Sequence, residues 1–318
     1  MMPMLQPLVA PAADVSLAPR SGRWGERAIL GLLWVFAAIS IATTVSIVFV
    51  LLEEGLHFFA QVSIIEFLTD TAWRPFGDAT SEAFRIGVLP LVSGTLLVTV
   101  IALMVAVPLG LASAAYLSEY ASPRVRGVLK PALEVLAGIP TVVLGYFALT
   151  LVTPALRTIF SPESINIFNA LSAGLVVGVM IIPTVASLSE DALSAVPDGL
   201  RAASYGMGAT KSVTIRRVLF PAALSGIVSA IILAMGRAIG ETMIVSIAAG
   251  NLPTLTANPG SQIQTMTGYI VQAVGGEASR GSLTYNSIFA VGILLFLMTF
   301  ALNILANRIV RRFREAYE

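Results

Sequence analysis

The chain has 318 residues, of which 56% are hydrophobic and only 12% charged, with a net charge of +1 and a mean hydropathy of +0.87. Soluble domains carry about 25% charged residues, so half that share points to an integral membrane protein. The absence of cysteine and a single histidine, His57, exclude disulfides, thiolate metal sites and His-based metal clusters, and the balanced charge predicts no nucleic-acid partner.

In chain order, residues 1–18 are rich in Pro and Ala, lack periodicity and read as disordered. Six apolar runs then qualify as spans, at 28–52, 89–117, 135–152, 169–188, 222–249 and 285–306. The expected fold is all-α and polytopic, with about six transmembrane helices. The first run exceeds the roughly 7–15 residues of a signal-peptide core and reads as a retained anchor. Five of the six runs contain no Asp, Glu, Lys or Arg; the fifth carries Arg237 and Glu241.

Orientation follows from the cations between the runs. Arg20, Arg23, Arg27, Arg124, Arg126, Lys130, Arg201, Lys211, Arg216, Arg217, Arg308, Arg311, Arg312 and Arg314 fall on one side, and Arg74, Arg85, Arg157 and Arg280 on the other. This excess places both termini and the loop 190–221 in the cytoplasm. The expected divisions are a cytoplasmic segment 1–27, a membrane domain 28–308 with a cytoplasmic loop at about 189–221, and a basic cytoplasmic tail 309–318.

The spans are more than anchors. Pro108, Pro140 and Pro183 lie inside the second, third and fourth, where each removes a backbone donor and kinks a helix. The pairs Gly174/Gly178 and Gly236/Gly240 each make a small-xxx-small face that allows close helix contact. The external loop 53–81, with its turn-prone WRPFGD, predicts a cover over the outer face containing a short interfacial helix. In the external loop 251–284, Pro253, Asn258-Pro259-Gly260 and Gly275-Gly276 mark turns, and 261–274 predicts a short re-entrant or surface helix.

The loop 189–221 reads as a helix–turn–helix outside the bilayer. Pro197 ends one helix, Asp198 caps the next, Gly208 makes the turn and Thr210 caps a third. Leu200, Tyr205 and Met207 stand beside small Ala202, Ala203 and Ser204, flanked by Arg201, Lys211, Arg216 and Arg217. Such a surface suits a groove on a soluble partner or membrane lipid with anionic headgroups. Residues 206–212, GMGATKS, lack the Gly that a phosphate-binding P-loop needs before its Lys, and Thr210 stands there instead. This chain therefore does not bind a nucleotide by that route.

In the fifth run Arg237 and Glu241 are four residues apart, on one face of a continuous helix. A charge at the bilayer centre costs at least about 2.5–3.5 kcal/mol and marks a functional site by default. A guanidinium presents a planar fork of donors that matches a phosphate-like oxyanion. Glu241 is placed to hold that fork or to accept a hydrogen bond from a protonated oxyanion, which sulfate cannot donate, and Thr242 adds a hydroxyl. A structural Arg237–Glu241 pair binding neighbouring helices remains the other reading.

The loop resembles the EAA motif of ABC importer permeases, with Ala202-Ala203-Ser204 in the EAA place, then Gly208, Val218, Phe220 and Pro221 at the family spacing. Ala202 departs from the usual Glu, which bears on any ion pair with an ATPase there; docking by shape survives it. GRAIGETMIVSIAAGN (236–251) and AGIPTVVLGYFAL (137–149) resemble segments of the PstC-type permease of phosphate ABC importers. The resemblance covers roughly residues 84–312. It implies an ABC importer permease fold in the bacterial inner membrane, without a cofactor or an ATPase site of its own. It also implies a PstA-type permease as heterodimer partner, a PstB-type ATPase dimer, a periplasmic phosphate-binding protein, and phosphate as the solute moved by alternating access. On that reading Arg237, Glu241 and Thr242 line the pathway, and Ala202, Ala203, Ser204, Gly208, Val218 and Pro221 couple to the ATPase. A permease for sulfate, molybdate or phosphonate, a non-transporting scaffold or sensor partner, and an intramembrane enzyme are the alternatives.

Overall fold

A computed structural model describes residues 24–76 and 84–313. The expected disorder at 1–18, the last residues of WRPFGD and the end of the basic tail lie outside them. The described chain divides into two units, one ending at Val50 and one beginning at Leu51. The first holds most of α1 (Trp24–Phe59), a helix apolar all round, with Trp34, Ile41 and Phe49 among its exposed side chains. That composition suits lipid on every face.

The second unit begins with α2 (Ile64–Thr69) and a two-residue antiparallel pair, β1 (Trp73–Arg74) with β2 (Arg85–Ile86). Phe58, Phe67, Trp73 and Tyr269 make a chain of edge-on ring contacts beneath this cover, all buried. Such edge-to-face pairs add about 0.5–1.5 kcal/mol each beyond burial.

The centre is α3 (Leu89–Ala115) against α7 (Ala170–Ser194). Small residues set their approach. A Cβ on Gly178 would lie 2.9 Å from the Ala102 carbonyl oxygen, and one on Gly174 would lie 2.7 Å from Ile101. Gly236, of the second small-residue pair, meets nothing within 4 Å in this chain. Pro108 and Pro183 sit within α3 and α7 as expected.

The third expected span is divided. Gly138 ends α4 (Pro123–Ala137), an amphipathic helix with no buried residue, and Pro140 precedes α5 (Thr141–Phe147). Pro140 therefore stands outside the helix rather than kinking it. The span is α5, the π-helical turn Ala148–Val152 and α6 (Thr153–Phe160) in succession.

Beyond α7 come α8 (Asp198–Gly206), α9 (Lys211–Thr214), a π turn Ile215–Leu219 and α10 (Phe220–Ala222). The chain then bends by 73° into α11 (Leu224–Ile239). At 16 residues α11 is about 24 Å long, short of a hydrocarbon core of about 30 Å. The fifth span continues only after a break, as α12 (Met243–Ala248). α13 (Met266–Gln272) has Met266 to Tyr269 buried, which favours the re-entrant over the surface reading, and α14 (Leu283–Phe313) closes the fold. Among the described residues five helices are long and apolar enough to cross a membrane, or six with the bent segment counted.

Candidate functional site

The break between α11 and α12 overturns the expected geometry of Arg237 and Glu241. Four residues along a continuous helix would stack them, but helical backbone stops at Ile239. Glu241 turns the other way. Its side chain is only 9% exposed, and one carboxylate oxygen accepts from the backbone N–H groups of Met243 at 3.1 Å and Ile244 at 3.2 Å. It therefore satisfies two of the donors a helix N-terminus leaves unpaired and adds negative charge at the positive end of the α12 dipole. No ion pair joins it to Arg237 among the described residues. The Thr242 hydroxyl donates to the Gly240 carbonyl at 3.1 Å.

The break is held from outside. The Thr267 hydroxyl of α13 donates to the Glu241 carbonyl at 2.7 Å, and the Met266 N–H donates to Thr95 of α3 at 3.0 Å. Gly94 makes room, since a Cβ there would collide with the Gln264 carbonyl. Arg237 is left exposed on this chain, its guanidinium donating to the Thr184 hydroxyl of α7 at 3.2 Å.

The expected loop elements are present, with adjustments. α8 begins at Asp198, so Pro197 rather than Asp198 occupies the capping position. Thr210 precedes α9, but its side chain makes no capping bond. Gly208 has φ +81°, the left-handed conformation that glycine enters freely and other residues at a cost of about 1–2 kcal/mol. Ala202, Ala203 and Gly208 are exposed, Pro221 is exposed, and Val218 and Ser204 are half-buried. The Ser204 hydroxyl lies 2.8 Å from that of Thr214, tying α8 to α9, and Met207 stands 89% exposed at the tip.

Two ion-pair groups join this loop to the helices, and the charge pattern of the spans did not single them out. Arg201 of α8 meets Glu119, at the π turn Tyr116–Tyr120 after α3, at 3.2 Å, and donates to the Leu193 carbonyl of α7 at 2.8 Å and to the Val196 carbonyl. Glu190 of α7 is fully buried and pairs with Arg126 and, at 2.8 Å, with Lys130, both on α4. Lys130 also reaches Asp191 at 3.4 Å. The Glu190 hydrogen bond raises the Lys130 pKa above its ordinary 10.5; burial opposes this, and the charges of Glu190 and Asp191 reinforce it. A lysine shifted upward stabilises the fold fully below its unfolded pKa, near 10.4, and loses that contribution as pH rises through the folded value. The clamp is therefore intact at physiological pH.

Residues 106–315 match the family model described as the binding-protein-dependent transport system inner membrane component. The chain belongs to this family. A probable ABC transporter permease protein of Bacillus subtilis, YqgH, is 38% identical over 83% of this chain and 84% of its own length. The phosphate transport system permease protein PstC of Mesorhizobium japonicum is 31% identical over 77% of this chain and 78% of its own length. In fold, this permease is similar to a chain of a bacterial alginate ABC transporter, with TM-score 0.62 and 17% identity over 92% of this chain and 98% of that one. A chain of the MetNI methionine ABC transporter matches with TM-score 0.53 and 22% identity over 72% of this chain and 95% of that one. The permease is thus a multi-pass membrane subunit of an ABC importer, a class that works with a second permease, an ATPase and a substrate-binding protein.

The clamp can be tested by stability. Replacing Arg126 and Lys130 together by Ala strands the Glu190 carboxylate and should cost the subunit about 3–5 kcal/mol. Glu190→Gln removes the buried charge itself and should cost less. Thermal denaturation in detergent orders the variants, and equal losses would contradict the assignment.

Proposed function

We propose that this permease carries inorganic phosphate into the cytoplasm, with Arg237 as the anion contact of the pathway. The observation that carries this reading is a guanidinium at the end of an apolar helix that no carboxylate neutralises. The i+4 acid, Glu241, is committed to the α12 N-terminus, and the Thr184 hydroxyl is the only hydrogen-bond partner of Arg237 among the described residues. A guanidinium fork left open in this way suits a passing oxyanion, and a neutral partner keeps the attraction weak enough for release. Relatives named PstC phosphate permeases support the substrate.

In this reading Glu241 positions the break and is not a latch on Arg237, and Thr242 contributes a backbone-bonded hydroxyl at the same turn. Arg237 faces a seam with a PstA-type permease, the loop 189–221 faces the cytoplasm, and both termini lie on that side. A PstB-type ATPase dimer binds the exposed α8 face and Met207, and a periplasmic phosphate-binding protein docks at the opposite end. Closing of the ATPase dimer draws the loops of the two permeases together. Because Arg201 and Glu190 tie the loop region to α3, α4 and α7, the helices tilt with it and access alternates. A related oxyanion such as sulfate is the second reading, because a guanidinium alone does not distinguish the two.

Arg237→Gln should lower phosphate uptake by about tenfold to a hundredfold, as expected for losing a charge-assisted contact of about 1.5–3 kcal/mol, while all subunits still co-purify. Normal uptake in that variant would defeat the pathway assignment, and equal competition by sulfate would favour the second reading. In the loop, Gly208→Val should lose ATPase co-purification, whereas Gly208→Asn, which tolerates the left-handed backbone, should retain most of it. Full coupling in the Val variant would remove the loop from the ATPase interface.

A further inference from the structure

A second cation without an ion pair among the described residues stands at the other end of α7. Asn169 fixes that end: its side chain caps α7 at Ser172 and donates to the Thr153 hydroxyl of α6 at 3.2 Å. The 25 residues of α7 place this point about 37 Å from the coupling loop. Arg157 lies one turn along α6. Its Nε is buried without a hydrogen-bond partner, and its guanidinium has no ion pair among the described residues. By contrast Arg126 and Arg201 meet carboxylates, and Arg237 meets a hydroxyl. A buried donor left unpaired is an exception that calls for an explanation, and an ion or water nearby is one.

The surroundings supply a place for one. Arg157 lines a concavity of about 930 Å³ with Thr153, Thr158 and Ser161. Ser161 has φ 85° and ψ 147°, a conformation that non-glycine residues rarely adopt, and it is the one non-glycine residue with positive φ among those described. Strain of this kind persists where surrounding structure imposes it and clusters at ligand sites. The Ser161 hydroxyl lies 3.1 Å from that of Ser164. With Ser164 donating, Ser161 keeps its own proton for a ligand. Ile159 and Phe160, both exposed, flank the arginine, with Ile159 at 72%.

We propose that Arg157 and Ser161 form a phosphate-group site at the end of the span Thr141–Phe160 remote from the coupling loop. A guanidinium fork beside a hydroxyl donor matches the oxygens of a phosphate. Soluble inorganic phosphate and the headgroup of a phospholipid share that chemistry, and the exposed apolar neighbours suit a bilayer interface as well as an aqueous mouth. The site is independent of the Arg237 pathway and shares no residue with it.

The test uses the wild-type transporter with all its subunits, so no variant has to fold. Phenylglyoxal modification of Arg157 is followed by peptide mass spectrometry in delipidated detergent alone, with inorganic phosphate, and with sulfate at equal ionic strength. It is followed also in nanodiscs of phosphatidylglycerol and of a phosphate-free galactolipid. Bound phosphate at about ten times its dissociation constant should slow modification about tenfold. Slowing by inorganic phosphate assigns a soluble anion, and slowing by phosphatidylglycerol but not by galactolipid assigns a headgroup. Equal rates in all conditions, or equal shielding by both lipids with no effect of phosphate, would overturn the site. The Arg237 peptide, read in the same digests, reports the pathway separately.

Discussion

A helix interrupted inside a membrane protein must satisfy its severed backbone groups from within, because hydrocarbon offers no substitute for water. That demand, at the three residues between Ile239 and Met243, organises the surroundings of Arg237. The Glu241 carboxylate takes two N–H groups of α12, and its own carbonyl takes the Thr267 hydroxyl. Spending the acid on the backbone leaves Arg237 without a countercharge among the described residues. One local solution to a hydrogen-bonding problem thus accompanies both the break in the span and the cation beside it.

α7 is the member common to every part of this arrangement. Asn169 starts it, Thr184 meets Arg237, Glu190 receives two cations from α4, and its last carbonyls receive Arg201 from α8. Glycine contacts fix it along α3. A helix held this closely is suited to act as one rigid piece, because packed interiors transmit strain. In the proposed mechanism this joins the loop to the pathway without requiring the loop to touch it.

The apolar runs were legible because bilayer thickness dictates their length, and five of the six expected spans appear as long helices among the described residues. The breaks were less so. Gly240, Glu241 and Thr242 contain no proline, and a period of 3.6 carries straight through them. The opened turn is held by Thr267, 26 positions further along, and α12 packs on α5, neither of which a local pattern reveals. Pro140 signalled a disturbance, but whether it kinks or divides a helix depends on Gly138 and on the polar face of α4. The turn at Gly208 was readable, since a left-handed position between two short helices calls for glycine. Arg126, Lys130 and Glu190 gave no sign of meeting, because their partnership spans about sixty residues of sequence and exists only once α4 lies on α7.

Because this subunit contains no native cysteine, Thr184→Cys places a single thiol beside the Arg237 guanidinium. The most direct measurement is its rate of reaction with a water-soluble methanethiosulfonate in the assembled transporter, with and without phosphate or sulfate. The account predicts a thiol reachable from water and slowed by phosphate more than by sulfate. A thiol inert in every nucleotide state, or one indifferent to phosphate, would contradict it.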